Sequence, residues 1–211
     1  MTATRGADLS PAEPDSDAAP LGRGLSWLYV IGGLIGLAAS FILTIEKIAK
    51  LGNPEYIPSC SLNPIVSCGS VMDSPQAALF GFSNTLIGVA AFPVIVTAGV
   101  VLLSGYRAPR WFWLGMQLGT TLGVVFVHWL IAQSLYQIQA LCPYCMVVWA
   151  VTIPIFWYTT VHNLERGRLG EGGRSTGAAL ARFHSLVLVL WFLVIVVLIL
   201  QAFWSYWSGL F

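Results

Sequence analysis

The chain has 211 residues, of which 57% are hydrophobic and only 9% are charged. A soluble domain carries roughly 25% charged residues, so this composition cannot cover a soluble surface and excludes a cytosolic globular enzyme. The net charge of +1 gives no basic field that would attract nucleic acid. A membrane helix needs about 20 apolar residues, so the length allows several spans but no large domain outside the membrane.

Four stretches without charged residues predict the membrane spans. Residues 24–45 predict the first span, and residues 74–106 predict a short interfacial helix at 74–80 followed by the second span. Residues 111–164 are too long for one crossing of a core about 30 Å thick, so they must fold back once. The fold-back is predicted at the polar cluster Gln133, Ser134, Tyr136, Gln137 and Gln139. Residues 183–211 predict a fifth transmembrane helix, and the chain is therefore predicted to be an all-α integral membrane protein.

The distribution of arginine predicts the orientation in the membrane. All eight arginines fall in the N-terminal tail, the 105–110 loop and the 165–182 loop, which share one face if there are five helices. The positive-inside rule then places the N-terminus in the cytoplasm and the 50–75 loop on the outer face. We predict a disordered cytoplasmic tail over 1–23, because its prolines and acids cannot form a core, and a transmembrane domain over 24–205. Residues 206–211 are then a short outer tail.

The four cysteines form two close pairs, and both are predicted on the outer face. Cys60 and Cys68 lie in the long outer loop, and Cys142 and Cys145 form a Cys-Pro-Tyr-Cys motif at the start of the fourth span. An even number of cysteines on an oxidising face indicates disulfide chemistry.

The Cys-Pro-Tyr-Cys motif has the pattern of a helix N-terminus. Pro143 suits the first turn of a helix, where its missing N–H is not needed, so Cys142 is predicted as the N-cap and Cys145 lies in the first turn. The unpaired N–H groups and the positive end of the helix dipole there favour a thiolate. Such a thiolate attacks a disulfide or a quinone, and at this position it lies within reach of a lipid-soluble partner.

Three other interpretations of the cysteines remain open. Two structural disulfides explain Cys60 and Cys68 well, but a Cys-x2-Cys bridge closes too small a loop to restrain the chain much. A four-cysteine zinc site conflicts with the Cys-x7-Cys spacing, so we expect no metal. A transporter with incidental cysteines would need polar groups inside the spans, where only Gln117, His128 and Gln133 qualify.

The combination of these features resembles the vitamin K epoxide reductase (VKOR) family, and is most similar to its bacterial, actinobacterial-type members. The resemblance rests on Pro58–Ser70 with its Cys-x7-Cys pair, on Phe80–Gly88, and on Cys142–Trp149 with its Cys-x2-Cys pair. It extends over roughly residues 25–205. It implies a four-helix transmembrane bundle around a quinone, with a fifth, peripheral transmembrane helix at 184–205.

The resemblance also implies roles for individual residues. Cys142 and Cys145 would be the active-site pair, with Cys145 facing the quinone, and Cys60 and Cys68 would be the shuttle pair. Asn84 matches a family asparagine that hydrogen-bonds one quinone oxygen. Trp149 stands where animal members have a tyrosine that contacts the other oxygen. Because an indole has no acidic O–H, this departure argues against epoxide reduction more than against quinone reduction. Asn84 also fits an N-cap of the second span, and Trp149 also fits a packing residue.

The resemblance implies a quinone-dependent thiol–disulfide oxidoreductase of the cell membrane. We expect it to reoxidise a thioredoxin-like or DsbA-like envelope protein and to pass the electrons to a membrane quinone, menaquinone by preference. Many bacterial members carry a fused thioredoxin-like domain, and none follows the fifth helix here, so the partner is expected to be a separate protein. The alternatives are a disulfide-stapled membrane scaffold without turnover, or an enzyme whose main reaction is quinone or vitamin K epoxide reduction.

Overall fold

The computed structural model describes residues 20–170 and 173–208. This part of the chain is helical apart from its turns and one isolated β-bridge. Five helices are long and apolar enough to cross a membrane, which confirms the prediction of an all-α membrane protein. In chain order the helices are α1 (Pro20–Gly52), α2 (Cys68–Met72), α3 (Thr85–Leu103), α4 (Arg110–Gln133), α5 (Pro143–Glu165), α6 (Gly173–Arg182), α7 (His184–Ala202) and α8 (Trp204–Ser208).

The helix ends differ from the predicted spans at both termini of the chain. Helix α1 begins at Pro20, inside the predicted tail, and continues past residue 45 to Gly52. The remainder of the predicted tail, residues 1–19, lies outside the described residues. At the other end, residues 206–208 belong to the short helix α8.

The last two turns of α1 extend beyond the predicted span because their charged side chains bind the segment between α1 and α3. Glu46 accepts hydrogen bonds from the backbone N–H and the hydroxyl of Ser59. Lys50 forms an ion pair with Asp73, just after α2. The charges that mark the end of the apolar stretch therefore lie on a continuous helix and hold the loop against it.

Small residues bring α1 close to α3. A Cβ atom added at Gly36 would overlap the ring of Phe92, and one added at Gly99 would lie 2.8 Å from the Cβ atom of Tyr29. Close backbone approach at small residues is the usual way in which membrane helices pack. Helix α1 also packs on α5, and α5 packs on α4, so α1, α3, α4 and α5 form the bundle.

The fifth span is peripheral, as the resemblance implied. Helix α7 contacts α5 and the turn after α4, and Ile195 is its one fully buried residue. Trp191 anchors it, because its indole N–H donates to His128 on α4 at 2.9 Å.

The chain reverses between α4 and α5 at the predicted place. A single π-helical turn, Ser134–Ile138, ends α4, and Gln139 adopts a left-handed conformation with φ of 53°. A short Pro75–Ala78 3-10 helix precedes α3, within the interfacial helix predicted at 74–80.

Candidate functional site

The segment between α1 and α3 carries the first cysteine pair, and a short backbone bridge fixes its position. Cys60 and Cys68 form a disulfide. Two hydrogen bonds join this loop to the turn before α5: Leu141 N–H donates to Ile65 O at 2.7 Å, and Ser67 N–H donates to Leu141 O at 2.9 Å. Since Ser67 and Leu141 each precede a cysteine, this bridge brings Cys68 beside Cys142.

The second pair lies at the N-terminus of α5, as predicted. Cys142 is the N-cap, Pro143 is the first helical residue, and the backbone N–H of Cys145 donates to the Cys142 sulfur at 3.4 Å. Hydrogen bonds from the Cys145 thiol and from the first-turn backbone N–H groups lower the pKa of the Cys142 thiol. Cys142 therefore ionises more readily than an ordinary buried cysteine.

The two pairs meet through one sulfur of each. The Sγ atoms of Cys68 and Cys142 are 3.2 Å apart. Both residues are buried, with exposures of 0% for Cys68 and 1% for Cys142, and they share a cluster with Leu43, Met72 and Cys60. The structure thus holds a thiol in contact with one sulfur of a disulfide, which is the starting arrangement for thiol–disulfide exchange.

This arrangement argues against two of the open interpretations. Because Cys60 and Cys68 are bonded to each other, the four cysteines are not set out as four thiolate ligands around a zinc ion. No group of three or more potential metal ligands was found within 20–170 and 173–208. Cys142 and Cys145 are free thiols, so the structure contains only one of the two disulfides that the interpretation as two structural disulfides requires.

A cavity of about 190 Å³ lies directly beyond the second pair, inside the bundle. It is bounded by α1, α3, α4 and α5, and most of its lining is apolar. Four of the six predicted site residues line this one chamber, namely Asn84, Cys142, Cys145 and Trp149. The lining suits an apolar ligand with few polar atoms.

Asn84 lies at the N-cap position of α3, but its side chain makes no capping bond to that helix. Its amide Nδ2 donates to Gln76 O at 2.7 Å, and its Oδ1 accepts from Leu79 N–H at 3.2 Å. The side chain thus braces the 3-10 helix over the cavity instead of capping α3. An amide carries two N–H groups, so Nδ2 retains a second donor beside the cavity it lines.

Trp149 is buried on α5, one turn after Cys145, and also lines the cavity. Its indole Nε1–H has no hydrogen-bond partner among the described residues. A buried donor without a partner costs about 1–3 kcal/mol. This orphaned donor fits a carbonyl oxygen of a ligand in the cavity, which supports the binding role implied by the resemblance.

The structure also defines the roles of two further polar residues, His128 and Lys47. His128 is fully engaged between helices, since Nδ1 bonds to Val124 O at 2.8 Å and Nε2 accepts from Trp191, so it is a bundle residue. Lys47 marked only the end of a span in the sequence, yet its side chain lines the cavity. From the sequence alone, a lysine that lines a cavity at a helix end cannot be distinguished from a lysine that only marks the end of a membrane span.

The fold and the site define a class of membrane protein in which two cysteine pairs meet at one end of a helix bundle, beside an apolar cavity. The chain belongs to the Vitamin K epoxide reductase family, which it matches over residues 27–160. The match ends within α5 and not near residue 205, so the peripheral helix α7 lies outside it. Among curated proteins, no sequence matches this chain. Membership makes the protein a quinone-linked disulfide oxidoreductase with several membrane spans.

Proposed function

We propose that the protein oxidises the dithiol of a thioredoxin-like or DsbA-like envelope protein and reduces membrane menaquinone with the electrons. The observation that carries this proposal is the 3.2 Å contact between the Cys68 and Cys142 sulfurs, with the cavity directly behind Cys145. A chain of adjacent sulfurs leads from the outer loop to an apolar chamber inside the bundle. Neither a structural scaffold nor a transporter requires such a series of adjacent sulfurs.

The first exchange takes place at the loop pair. A thiolate of the partner attacks Cys60, forms a mixed disulfide and releases the Cys68 thiolate; the second partner thiol then attacks its own mixed disulfide and frees Cys60. Cys60 suits this contact because it is 6% exposed, whereas Cys68 is completely buried against Cys142. The partner leaves oxidised, and the loop pair is left as a dithiol.

The second exchange moves the electron pair inward. The Cys68 thiolate attacks Cys142 in the Cys142–Cys145 disulfide and releases the Cys145 thiolate, and Cys60 then attacks Cys68 and releases Cys142. The result is a Cys60–Cys68 disulfide beside a reduced Cys142 and Cys145, which is the arrangement in the structure. The reduced pair then gives two electrons and two protons to the quinone and becomes a disulfide again.

The residues of the cavity fit a quinone as the substrate. Asn84 and Trp149 supply N–H donors for its two carbonyl oxygens, and the apolar lining excludes water from the ring. Because both donors are neutral and neither is an acid, the pocket suits quinone reduction better than the protonation of an epoxide oxygen.

A turnover assay tests the proposed function. Purified protein in detergent or nanodiscs is mixed with menaquinone and a reduced thioredoxin-like protein, and quinone absorbance is followed together with the thiols of the partner. We expect one quinone reduced for each partner disulfide formed. A protein that keeps its fold but reduces no quinone with any thiol donor contradicts the proposal.

The proposed orientation places the N-terminus in the cytoplasm and the cysteine end outside. A version of the chain with its four cysteines replaced is given one new cysteine at a time, either Glu55→Cys near α1 or Tyr106→Cys between α3 and α4. Both positions are exposed in the structure, so labelling reports the side of the membrane. We expect an impermeant thiol reagent to label only Glu55→Cys in intact cells, and both variants after lysis. The reverse pattern contradicts the orientation.

The Asn84→Asp variant tests the first quinone donor. An ionised carboxylate accepts hydrogen bonds but cannot donate one, so it repels both the quinone oxygen and Gln76 O. Loss of such a donor costs about 10²–10³-fold in rate, and we expect a loss of quinone turnover of that size. The thiol exchange between the partner and Cys60 should persist, which a gel-shift assay of thiol state measures. Wild-type turnover in this variant excludes Asn84 as a quinone donor.

The Trp149→Phe variant tests the second donor, and Trp157→Phe is its matched control. Trp149 has an unpartnered indole N–H, so its loss should raise the KM for quinone without lowering the thermal stability by much. Trp157 donates its N–H to His184 O at 3.1 Å and lies outside the cavity, so its loss should lower stability and leave KM unchanged. Equal effects of both variants on KM would contradict the binding role of Trp149.

A further inference from the structure

Lys47 is the one charged side chain among the described residues that line the cavity. It lies near the outer end of α1 and is half-buried. Leu43, one helical turn earlier on the same face, packs in the cluster that contains Cys60, Cys68 and Cys142. The lysine side chain therefore enters the chamber at the end where the cysteines lie.

The ammonium of Lys47 has no carboxylate partner in the described part of the chain. Its Nζ donates to the backbone oxygen of Met72 at 2.7 Å. The neighbouring carboxylates are engaged elsewhere, since Glu46 binds Ser59 and Asp73 pairs with Lys50. An ammonium carries three N–H groups, so two remain for an acceptor inside the cavity. A positive charge that lies against an apolar wall and has no counter-ion can stabilise a transient anion.

The proposed reaction forms such an anion. Cys142 and Cys145 together lose two electrons and two protons, and the quinone gains both to become a quinol, so the sum carries no net charge. Between these states the negative charge resides first on a sulfur of this pair and then on a quinone oxygen, before the protons arrive. Asn84 and Trp149 are neutral donors and balance this charge only in part.

We propose that the Lys47 ammonium stabilises the negative charge that passes from the reduced Cys142 and Cys145 pair to the quinone oxygen during reduction. This inference rests on the proposed function, because it requires a quinone in the cavity. It assigns to this lysine a task that neutral donors cannot perform. A preorganised cation in a site with little water acts at higher strength than in bulk solvent, because the local dielectric constant is low.

Two substitutions at Lys47 separate charge from hydrogen bonding. Lys47→Gln keeps an N–H donor for Met72 O but removes the charge, whereas Lys47→Arg keeps the charge. With a small membrane-permeant dithiol as donor, we expect Lys47→Gln to lose about tenfold or more of kcat, as for other lost charge-stabilising groups, and Lys47→Arg to retain most of it. The KM for quinone should change less than kcat, because the charge develops only during the reaction.

The pH profile provides a readout that a purely structural role would not change. Besides Lys47, the titratable side chains lining the cavity are Cys142 and Cys145, while Glu46, Lys50 and Asp73 lie at the same end of the molecule. A nearby cation favours a thiolate, so its removal disfavours ionisation. The rate increases with pH as the thiol ionises. We expect this increase to occur at a higher pH in Lys47→Gln than in the wild type or in Lys47→Arg.

Lys50→Gln is the matched control, one turn further along the helix. Lys50 pairs with Asp73 and does not line the cavity, so this variant should reduce quinone with the dithiol at close to the wild-type rate. If folded Lys47→Gln retains wild-type turnover and pH profile, or if Lys47→Arg is as slow as Lys47→Gln, the inference is overturned. Wild-type protein that reduces no quinone contradicts the proposed function itself, and the inference with it.

Discussion

The Cys145→Ala variant should lose quinone reduction entirely, with a protein partner and with a small dithiol alike. Cys145 lines the cavity beside Trp149 and Asn84, and the disulfide that the reaction forms needs both Cys142 and Cys145. Without Cys145 the remaining thiol of the pair cannot complete a two-electron transfer. Quinone absorbance should stay at the background rate of the uncatalysed reaction.

The same variant should accumulate a mixed disulfide between Cys68 and Cys142. These sulfurs are 3.2 Å apart, and no Cys145 remains to compete for Cys142. Mass spectrometry of a non-reducing digest measures the linkage, and Cys60 should then be alkylated as a free thiol. Cys142→Ala is the control, since it removes the acceptor and should leave only the Cys60–Cys68 disulfide. A Cys60–Cys142 linkage would contradict the order of sulfurs in the relay.

Removing either shuttle cysteine should block turnover with a protein partner and spare turnover with a small dithiol. Cys60→Ala removes the sulfur that we propose as the partner's point of attack, and Cys68→Ala removes the sulfur that contacts Cys142. A membrane-permeant dithiol can reduce the Cys142–Cys145 disulfide directly from the cavity side. We therefore expect partner-driven rates at background and dithiol-driven rates within a few-fold of the wild type.

A variant that loosens the loop without touching a cysteine separates chemistry from structure. Ser59→Ala removes one hydrogen bond to Glu46, next to Cys60, and keeps both sulfurs. It should retain turnover with both donors. If the dithiol-driven rate vanished in Cys60→Ala and in Cys68→Ala while both proteins remained folded, the loop pair would be structural and not a shuttle.

Much of the membrane architecture was predictable, because the bilayer imposes it on the sequence. Backbone groups in hydrocarbon must bond within their own segment, so a stretch without charges must be a helix. The five spans, the reversal near Ser134 and the helix start at Cys142 followed from apolar length, polar residues and the position of Pro143. The end of α1 was not predictable in this way, since Glu46 and Lys50 have partners far along the chain.

The helices, the two cysteine pairs and the helix N-terminus at Cys142 were predictable from the sequence, since each depends on residues close together in the chain. Which sulfurs meet depends on the packing of distant segments. The bridge between Ser67 and Leu141 joins residues more than seventy positions apart and has no local sequence signal. The roles of Asn84, whose amide braces Gln76, and of Lys47, which lines the cavity and donates to Met72 O, depend on how the helices pack. Helix packing sets the distances between these residues, and the order of residues along the chain does not specify them.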